Sequence, residues 1–321
     1  MKALLLAAGQ GTRLRPLTDA LPKCLVPILG TPLLEIWLSV LPTLGVREVL
    51  VNTSYMAEDV HRFLSWGDWS ARVEVAHEDR LLGTAGTLFT NKEFIKGEDL
   101  LVIHSDNLSL FDSVAFLRAF TERPKDCIAT MMTFDTDTPH TCGIVRTGPS
   151  GVVLEMHEKV ANPPGRRANG AVYIFSAAFI EELLSGQPCS DLSTEVLPQL
   201  MGRMNEFHNQ RYHRDIGSIE LYRTACTEAL VGKSTLPRTR TSSWGRFADH
   251  AAFKRWSSAW KTSGLAVLNC RSPDEVPRLM ELKPDVILME QLPLASLHTL
   301  APLAAGYPRT TIIPWKTVTH A

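Results

Sequence analysis

The sequence predicts an α/β fold: a mostly parallel sheet with helices on both faces, a smaller mixed β insertion, and a C-terminal βαβαβ-like appendage. Three observations carry this expectation. Short, wholly apolar runs alternate with stretches of helical length through residues 1–120, the pattern of strands buried on both faces. From Ile128 the runs become shorter, several turn amphipathic, and Gly/Pro turns join them. Past Gly264 strand and helix patterns alternate once more.

Taken in order, strands are expected at 2–8, 48–52, 73–77 and 100–104. Helices are expected at 33–44, at 57–66 and after Gly83. Ligands of such sheets bind beyond the carboxyl ends of the strands. The glycine-bearing segment after the first strand falls there, and so does Ser105-Asp106-Asn107 after the fourth. The insertion is read as strands at 128–134, 143–146, 152–158 and 171–175. Helices at 177–184 and 195–204 follow, with a last helix at 219–230. Residues 232–263 are read as a linker and helical segment. Its start, Lys233-Ser234-Thr235-Leu236-Pro237-Arg238, is basic and turn-rich, and a tryptophan-bearing helix is expected at 251–261. The expected division is therefore 1–231, 232–263 and 264–321. The last part reads as a β-α-β-α-β unit too short for a full doubly wound domain. It would extend the main sheet, pack as an accessory unit or mediate homo-oligomer assembly.

Composition narrows the function. Hydrophobic residues make up 45% and charged residues 21% of the 321, an ordinary globular balance. A formal net charge of −1 gives no electrostatic footprint for nucleic acid or an anionic membrane. No apolar run of about twenty residues could span a bilayer. Met1-Lys2 leads straight into a strand, so no cleaved signal peptide is expected. The six cysteines lack a Cys-x-x-Cys pattern and suit free thiols in a cytoplasmic protein. His61, His77, His140, His157, His208 and His213 show no metal-ligand spacing, and Trp244, Trp256 and Trp260 read as packing or interface residues.

The first thirty residues carry most of the chemistry. Ala3-Leu4-Leu5-Leu6-Ala7-Ala8 runs into Gly9-Gln10-Gly11-Thr12-Arg13-Leu14-Arg15-Pro16-Leu17-Thr18, and Pro22-Lys23-Cys24-Leu25-Val26-Pro27 follows. Glycines let backbone N–H groups approach a phosphate chain without Cβ interference. Arg13 and Lys23 can set two positive charges against it. No Gly-Lys-Ser/Thr closes the loop, so it is not a Walker A motif. Leu14 stands where a dinucleotide fingerprint needs its third glycine.

This segment resembles the signature of the sugar-1-phosphate nucleotidyltransferases, Gly-x-Gly-Thr-Arg-Leu-x-Pro-Leu-Thr followed by Pro-Lys-x-Leu-x-Pro. Within that family, Glu78 with Leu82-Gly83-Thr84-Ala85-Gly86 looks most like the mannose-1-phosphate and heptose-1-phosphate guanylyltransferases. The resemblance implies a Rossmann-like sheet and an enzyme that takes an NTP and a sugar 1-phosphate, with Mg2+ as cofactor. Arg13, Lys23 and Asp106 would be catalytic, and Asp106 with Asp215 would hold the metal. Asp106 fits the family's Ser-Asp, and Asp215-Ile216-Gly217-Ser218 its Asp-x-Gly-Thr. Leu6, Ala8, Gly9, Gly11, Thr12, Glu78, Gly83 and Thr84 would bind the nucleotide, with Glu78 accepting from base N–H groups as guanine offers. Uracil or thymine could satisfy it too. Gly143, Glu158, Lys159 and Asn169 would form the acceptor side, since Glu158-Lys159 resembles Glu-Lys-Pro and Asn169-Gly170-Ala171-Val172-Tyr173 resembles Asn-x-Gly-x-Tyr. Val160 replaces the proline, and one residue is missing before that glycine. A catalytically silent nucleotide-sugar-binding subunit is the alternative of another class. Such subunits usually lose the loop arginine, the lysine or a metal carboxylate, and all are present here. No hexapeptide repeat marks a β-helix tail.

Overall fold

The computed structural model describes residues 1–233, 236 and 243–318. The nucleotide half starts with β1 (Lys2–Leu6), the short hairpin β2 (Pro27–Ile28) and β3 (Thr31–Pro32), and α1 (Leu33–Val40). It continues through β4 (Glu48–Thr53), α2 (Ala57–Ser65), β5 (Arg72–His77), α3 (Gly86–Thr90), α4 (Lys92–Ile95) and β6 (Leu100–His104). Next come β7 (Asn107–Leu110), α5 (Ser113–Thr121), β8 (Ala129–Asp135), β9 (Gly143–Thr147) and β10 (Val153–Glu158). Then follow β11 (Arg167–Phe175), α6 (Ala177–Ser185), β12 (Met204–His208), β13 (Tyr212–Asp215) and α7 (Ile219–Leu230).

Among the described residues the main sheet has nine strands, ordered β10-β9-β11-β6-β1-β4-β5, with β8 paired to β11 and β12. β1 lies between β4 and β6 and runs parallel to both. The strand order therefore reverses at β1, and the loops leaving β1 and β6 open a crevice between them. Ala3, Leu4, Leu5, Leu100, Leu101, Val102 and Ile103 are fully buried, which is why these strands read as continuous apolar runs. β11 turns antiparallel against β6 and carries the mixed region away from the crevice.

Two elements depart from the expectation. The helix expected at 195–204 is instead a π-turn at Leu192–Val196 and a 3-10 turn at Leu197–Leu200, and Met204 already begins β12. Pro198 supplies no amide for a longer helix. The strand expected at 171–175 starts earlier, at Arg167, and holds a bulge. Asn169 faces Thr133 while Tyr173 faces Met131, so extra residues are looped out of β11. The expectations also omit α5 and the antiparallel ribbon of β7 and β13.

The C-terminal unit comprises α8 (Ser243–Phe247), α9 (His250–Lys261), β14 (Val267–Cys270), α10 (Val276–Glu281), β15 (Val286–Pro293), α11 (Leu297–Gly306) and β16 (Thr311–Val318). Most of the basic stretch of the expected linker lies outside the described residues. The three strands form a parallel sheet of their own, ordered β14-β15-β16, and do not extend the main sheet. α9 buries Ala252, Phe253, Trp256, Ser257 and Trp260, one face at helical spacing, and Asp249 caps it by accepting from Ala252 N–H. That face closes the core of the nucleotide half. Trp244, Trp256, Trp260 and Trp315 join Leu14, Leu17, Leu25, Ile28 and Phe63 in one cluster. Tyr222 stacks on Trp260 and donates a 2.6 Å bond to the Pro27 carbonyl. At Gly30 (φ +75°) a Cβ would lie 2.5 Å from the Thr317 nitrogen, so the hairpin after Lys23 meets β16 backbone to backbone.

Candidate active site

The loop after β1 is braced by hydrogen bonds of its own. Gly11 takes φ +60°, and a Cβ there would come within 2.9 Å of Thr18 Cγ2. Its carbonyl accepts from Leu14 N–H and from the Thr18 hydroxyl, both at 2.9 Å. Tyr55 then donates its hydroxyl to the Thr18 carbonyl. This bracing holds residues 9–14 as the rim of a cavity of about 380 Å³. All eight residues expected to bind the nucleotide line that cavity, from Leu6 to Thr84, together with Arg13, Lys23 and Asp106.

The two acids meet through the ribbon that the expectations omit. Asp106 sits at the turn from β6 into β7, and Asp215 ends β13 opposite Asn107. Ser105 pins the turn by donating N–H and hydroxyl to the Leu6 carbonyl, and Trp37 donates to the Asn107 carbonyl. Arg214 anchors β13 to α7 by a two-pronged pair with Glu228 at 2.9 and 3.0 Å. Lys23 lies between the acids, its Nζ 2.7 Å from Asp106 Oδ2 and 3.5 Å from Asp215 Oδ1. Arg13 reaches Asp215 at 3.8 Å and is 76% exposed, free to turn toward an incoming anion. Burial by itself would raise the Asp106 pKa. Lys23 and His104 outweigh it and hold the carboxyl below its ordinary range, so it is ionised at neutral pH. Burial pushes the His104 imidazole down, against the pull of Asp106 and Asp191.

Glu78, expected to accept from the base, lines the cavity and is held by donors of the protein itself. It is 5% exposed, its Oε1 accepts from Asn52 at 2.9 Å and Thr87 at 2.6 Å, and its Oε2 accepts from Leu82 N–H at 3.2 Å. A carboxylate with three internal donors holds the 78–87 loop in place and has little capacity left for a base. Asn52 completes the network by accepting from Ala7 N–H at 2.7 Å, tying that loop to the end of β1. Asn52 and Thr87 are site residues that the sequence reading missed. Their signal, an Asn ending an apolar strand and a Thr following the Gly83 loop, is common to many loops. Asn52→Ala strips a partner from two buried groups and should cost about 2–3 kcal/mol. Urea unfolding checks this, and a loss under about 1 kcal/mol would contradict the network. Thr84 accepts from Leu192 N–H and so binds the loop to the π-turn.

The residues expected on the acceptor side stand apart from the cavity lining: Gly143 on β9, Glu158 at the end of β10 with Lys159 just past it, and Asn169 on β11. Gly143 faces Glu158 across the β9–β10 pair, and Lys159, at φ +50°, bonds Glu158 at 2.9 Å. The bulge in β11 turns Asn169 onto the Tyr173 hydroxyl, at 2.7 Å. The structure thus gathers Arg13, Lys23, Asp106 and Asp215 at one point and leaves Gly143, Glu158, Lys159 and Asn169 on the adjoining lobe. Among the described residues no group of three or more His, Cys, Asp or Glu is arranged to hold a metal ion. No helix among them is long and apolar enough to cross a membrane.

Comparison with known proteins agrees with this geometry. The profile of the family described as nucleotidyl transferase matches residues 2–230. A UTP–glucose-1-phosphate uridylyltransferase of Synechocystis sp. is 31% identical over 217 residues, covering 63% of this chain and 55% of that protein. A mannose-1-phosphate guanylyltransferase of Mycobacterium tuberculosis is 28% identical, covering 74% of this chain and 67% of that one. The Danio rerio mannose-1-phosphate guanylyltransferase catalytic subunit beta is 31% identical, covering 68% and 61%. The chain thus spans roughly 55–67% of the length of these relatives. A Bacillus anthracis crystal structure described as a glucose-1-phosphate thymidylyltransferase aligns with a TM-score of 0.64 at 19% identity, over 76% of this chain and 99% of its own, a likeness of fold. Since the profile runs from β1 to the end of α7 and the relatives act on sugar 1-phosphates, this chain belongs to the sugar-1-phosphate nucleotidyltransferase family.

Proposed function

We propose that the protein transfers the nucleoside monophosphate of an NTP to a sugar 1-phosphate, giving an NDP-sugar and pyrophosphate by direct in-line displacement. One observation carries this reading. A nearly buried lysine is held between two carboxylates at the mouth of a cavity rimmed by a glycine loop. The acceptor phosphate is already an anionic nucleophile, so the site needs neither a general base nor a covalent enzyme intermediate. Positioning and electrostatics supply the rate.

Arg13 meets the outer phosphates, from its exposed place on the rim. Lys23 leaves the acids for the reacting α-phosphate and holds the sugar phosphate against it. Glu158 takes sugar hydroxyls, Lys159 the sugar phosphate and Asn169 a hydroxyl or the phosphate. Asp106 and Asp215 suit Mg2+: their side chains are 42% and 44% exposed and they converge on one cation, the paired oxygen donors that this hard ion takes with water and phosphate. Bound there, Mg2+ would offset phosphate charge.

Guanylyl transfer to mannose 1-phosphate or a heptose 1-phosphate is the favoured pairing, supported by the two guanylyltransferase relatives. Glu78 lines the cavity with three internal donors on its carboxylate, so the main chain around Gly83 and Thr84 shares in the choice of base. Uridylyl, thymidylyl and cytidylyl transfer are the other outcomes of the same test. That test is pyrophosphate release from five NTPs, each paired with several sugar 1-phosphates. Release with GTP and one hexose or heptose phosphate is expected. Release with another NTP alone would overturn the base, and release with no pair would favour a silent nucleotide-sugar-binding subunit.

A further inference from the structure

The first four side chains of β6, Leu100 to Ile103, are fully buried and apolar, and the strand ends on an imidazole. His104 Nε2 is shut off from water and has no hydrogen-bond partner among the described residues. The ring also borders the cavity, beside Asp106 and Thr84. Its edge meets Tyr173 at 6.4 Å between ring centres, and the Tyr173 hydroxyl is bonded to Asn169. A buried polar atom without a partner destabilises the free protein, and native structures rarely keep one without use. A leucine here would continue the apolar strand without that cost. The site that sets Asp106 in place therefore keeps a group that the fold alone does not satisfy.

We propose that His104 is a specificity residue whose ring hydrogen-bonds a hydroxyl of the sugar carried by one of the two substrates. This rests on the reading of the cleft as a site for an NTP and a sugar phosphate. The ring needs only a modest turn about Cβ–Cγ, a soft torsion, to offer a nitrogen to the cavity. Two sugars enter this cleft, the ribose of the nucleotide and the sugar of the acceptor. The link through Tyr173 to Asn169 sets His104 on the boundary between them, and its hydrogen bond would select a polyhydroxylated ring over an apolar or deoxygenated one.

The test uses His104→Leu and His104→Gln in the full chain. It reads the melting temperature without ligand and both KM values, with the substrate pair that the wild type turns over. His104→Leu should melt at or above the wild-type temperature while one KM rises about tenfold, the scale of one lost hydrogen bond. kcat should stay within about threefold, and His104→Gln should recover most of the KM. A rise confined to the sugar phosphate assigns the acceptor. A rise confined to the NTP, lost with the 2′- or 3′-deoxy analogue, assigns the ribose. Unchanged KM values, or equal rises in both with a lowered melting temperature, would overturn the proposal and leave His104 a packing residue. A wild type that turns over no pair would overturn the reading of the cleft itself.

Discussion

Replacing Lys23 by alanine is expected to lower kcat/KM by about 10²-fold or more, the scale of removing one preorganised charge from a phosphoryl-transfer site. The reason lies in its surroundings. Lys23 is 6% exposed, held in the 3-10 turn at Lys23–Leu25 between Pro22 and the β2–β3 hairpin, so its ammonium is aimed before substrate arrives. Among the described residues, the other cation at the cavity, Arg13, sits on the outer rim and pairs with Asp215 at 3.8 Å, away from Asp106. Removing Lys23 also leaves Asp106 and Asp215 without the charge between them, which raises the cost of bringing in a polyanion. Asp106→Asn should act on the same scale, since it takes away a carboxylate while keeping the shape. Steady-state kinetics with purified, folded variants measure both. Near wild-type rates from either would mean that the cleft works by other groups.

Replacing Trp260 by alanine is expected to destabilise the protein by about 3–5 kcal/mol, the range for emptying a fully buried large aromatic site. Trp260 is 0% exposed and touches both parts of the chain, stacking on Tyr222 and meeting Trp256 edge-on at 5.8 Å. Deleting residues 235–321 would remove four tryptophans from the core that also buries Leu14, Leu17 and Leu25. Those three flank Arg13 and Lys23, so the glycine loop would lose its floor. The truncated chain should give no cooperative unfolding transition. A cooperative transition near the wild-type midpoint would show that the C-terminal unit is separable.

How much of this was legible from the sequence depended on how local the cause was. Continuous apolar runs disclosed β1, β4 and β6 because those strands are buried on both faces, and β6 fell at residues 100–104 as expected. The glycine loop was legible because its glycines, Arg13 and Lys23 act within a short stretch of chain. The β7–β13 ribbon was not, because Asn107 and Asp215 pair across a third of the sequence and β7 is four residues long. The network around Glu78 was hidden for a similar reason. Its carboxylate belongs to whatever side chains reach it, and Asn52 and Thr87 arrive from other elements. The tryptophans of α9 read as packing or interface residues, and the helix buries both of them. Nothing local to α9 could say that the partner of that face was the glycine loop and the turn after it.

The central claim is that the triphosphate is attacked at its α-phosphorus by the phosphate of the acceptor. Parallel reactions with α-labelled and γ-labelled NTP, followed by separation of products, test it directly. The α label is expected in the NDP-sugar and the γ label in pyrophosphate, with no label left on the protein. A γ label on the sugar phosphate, or an α label trapped on the protein, would contradict the account.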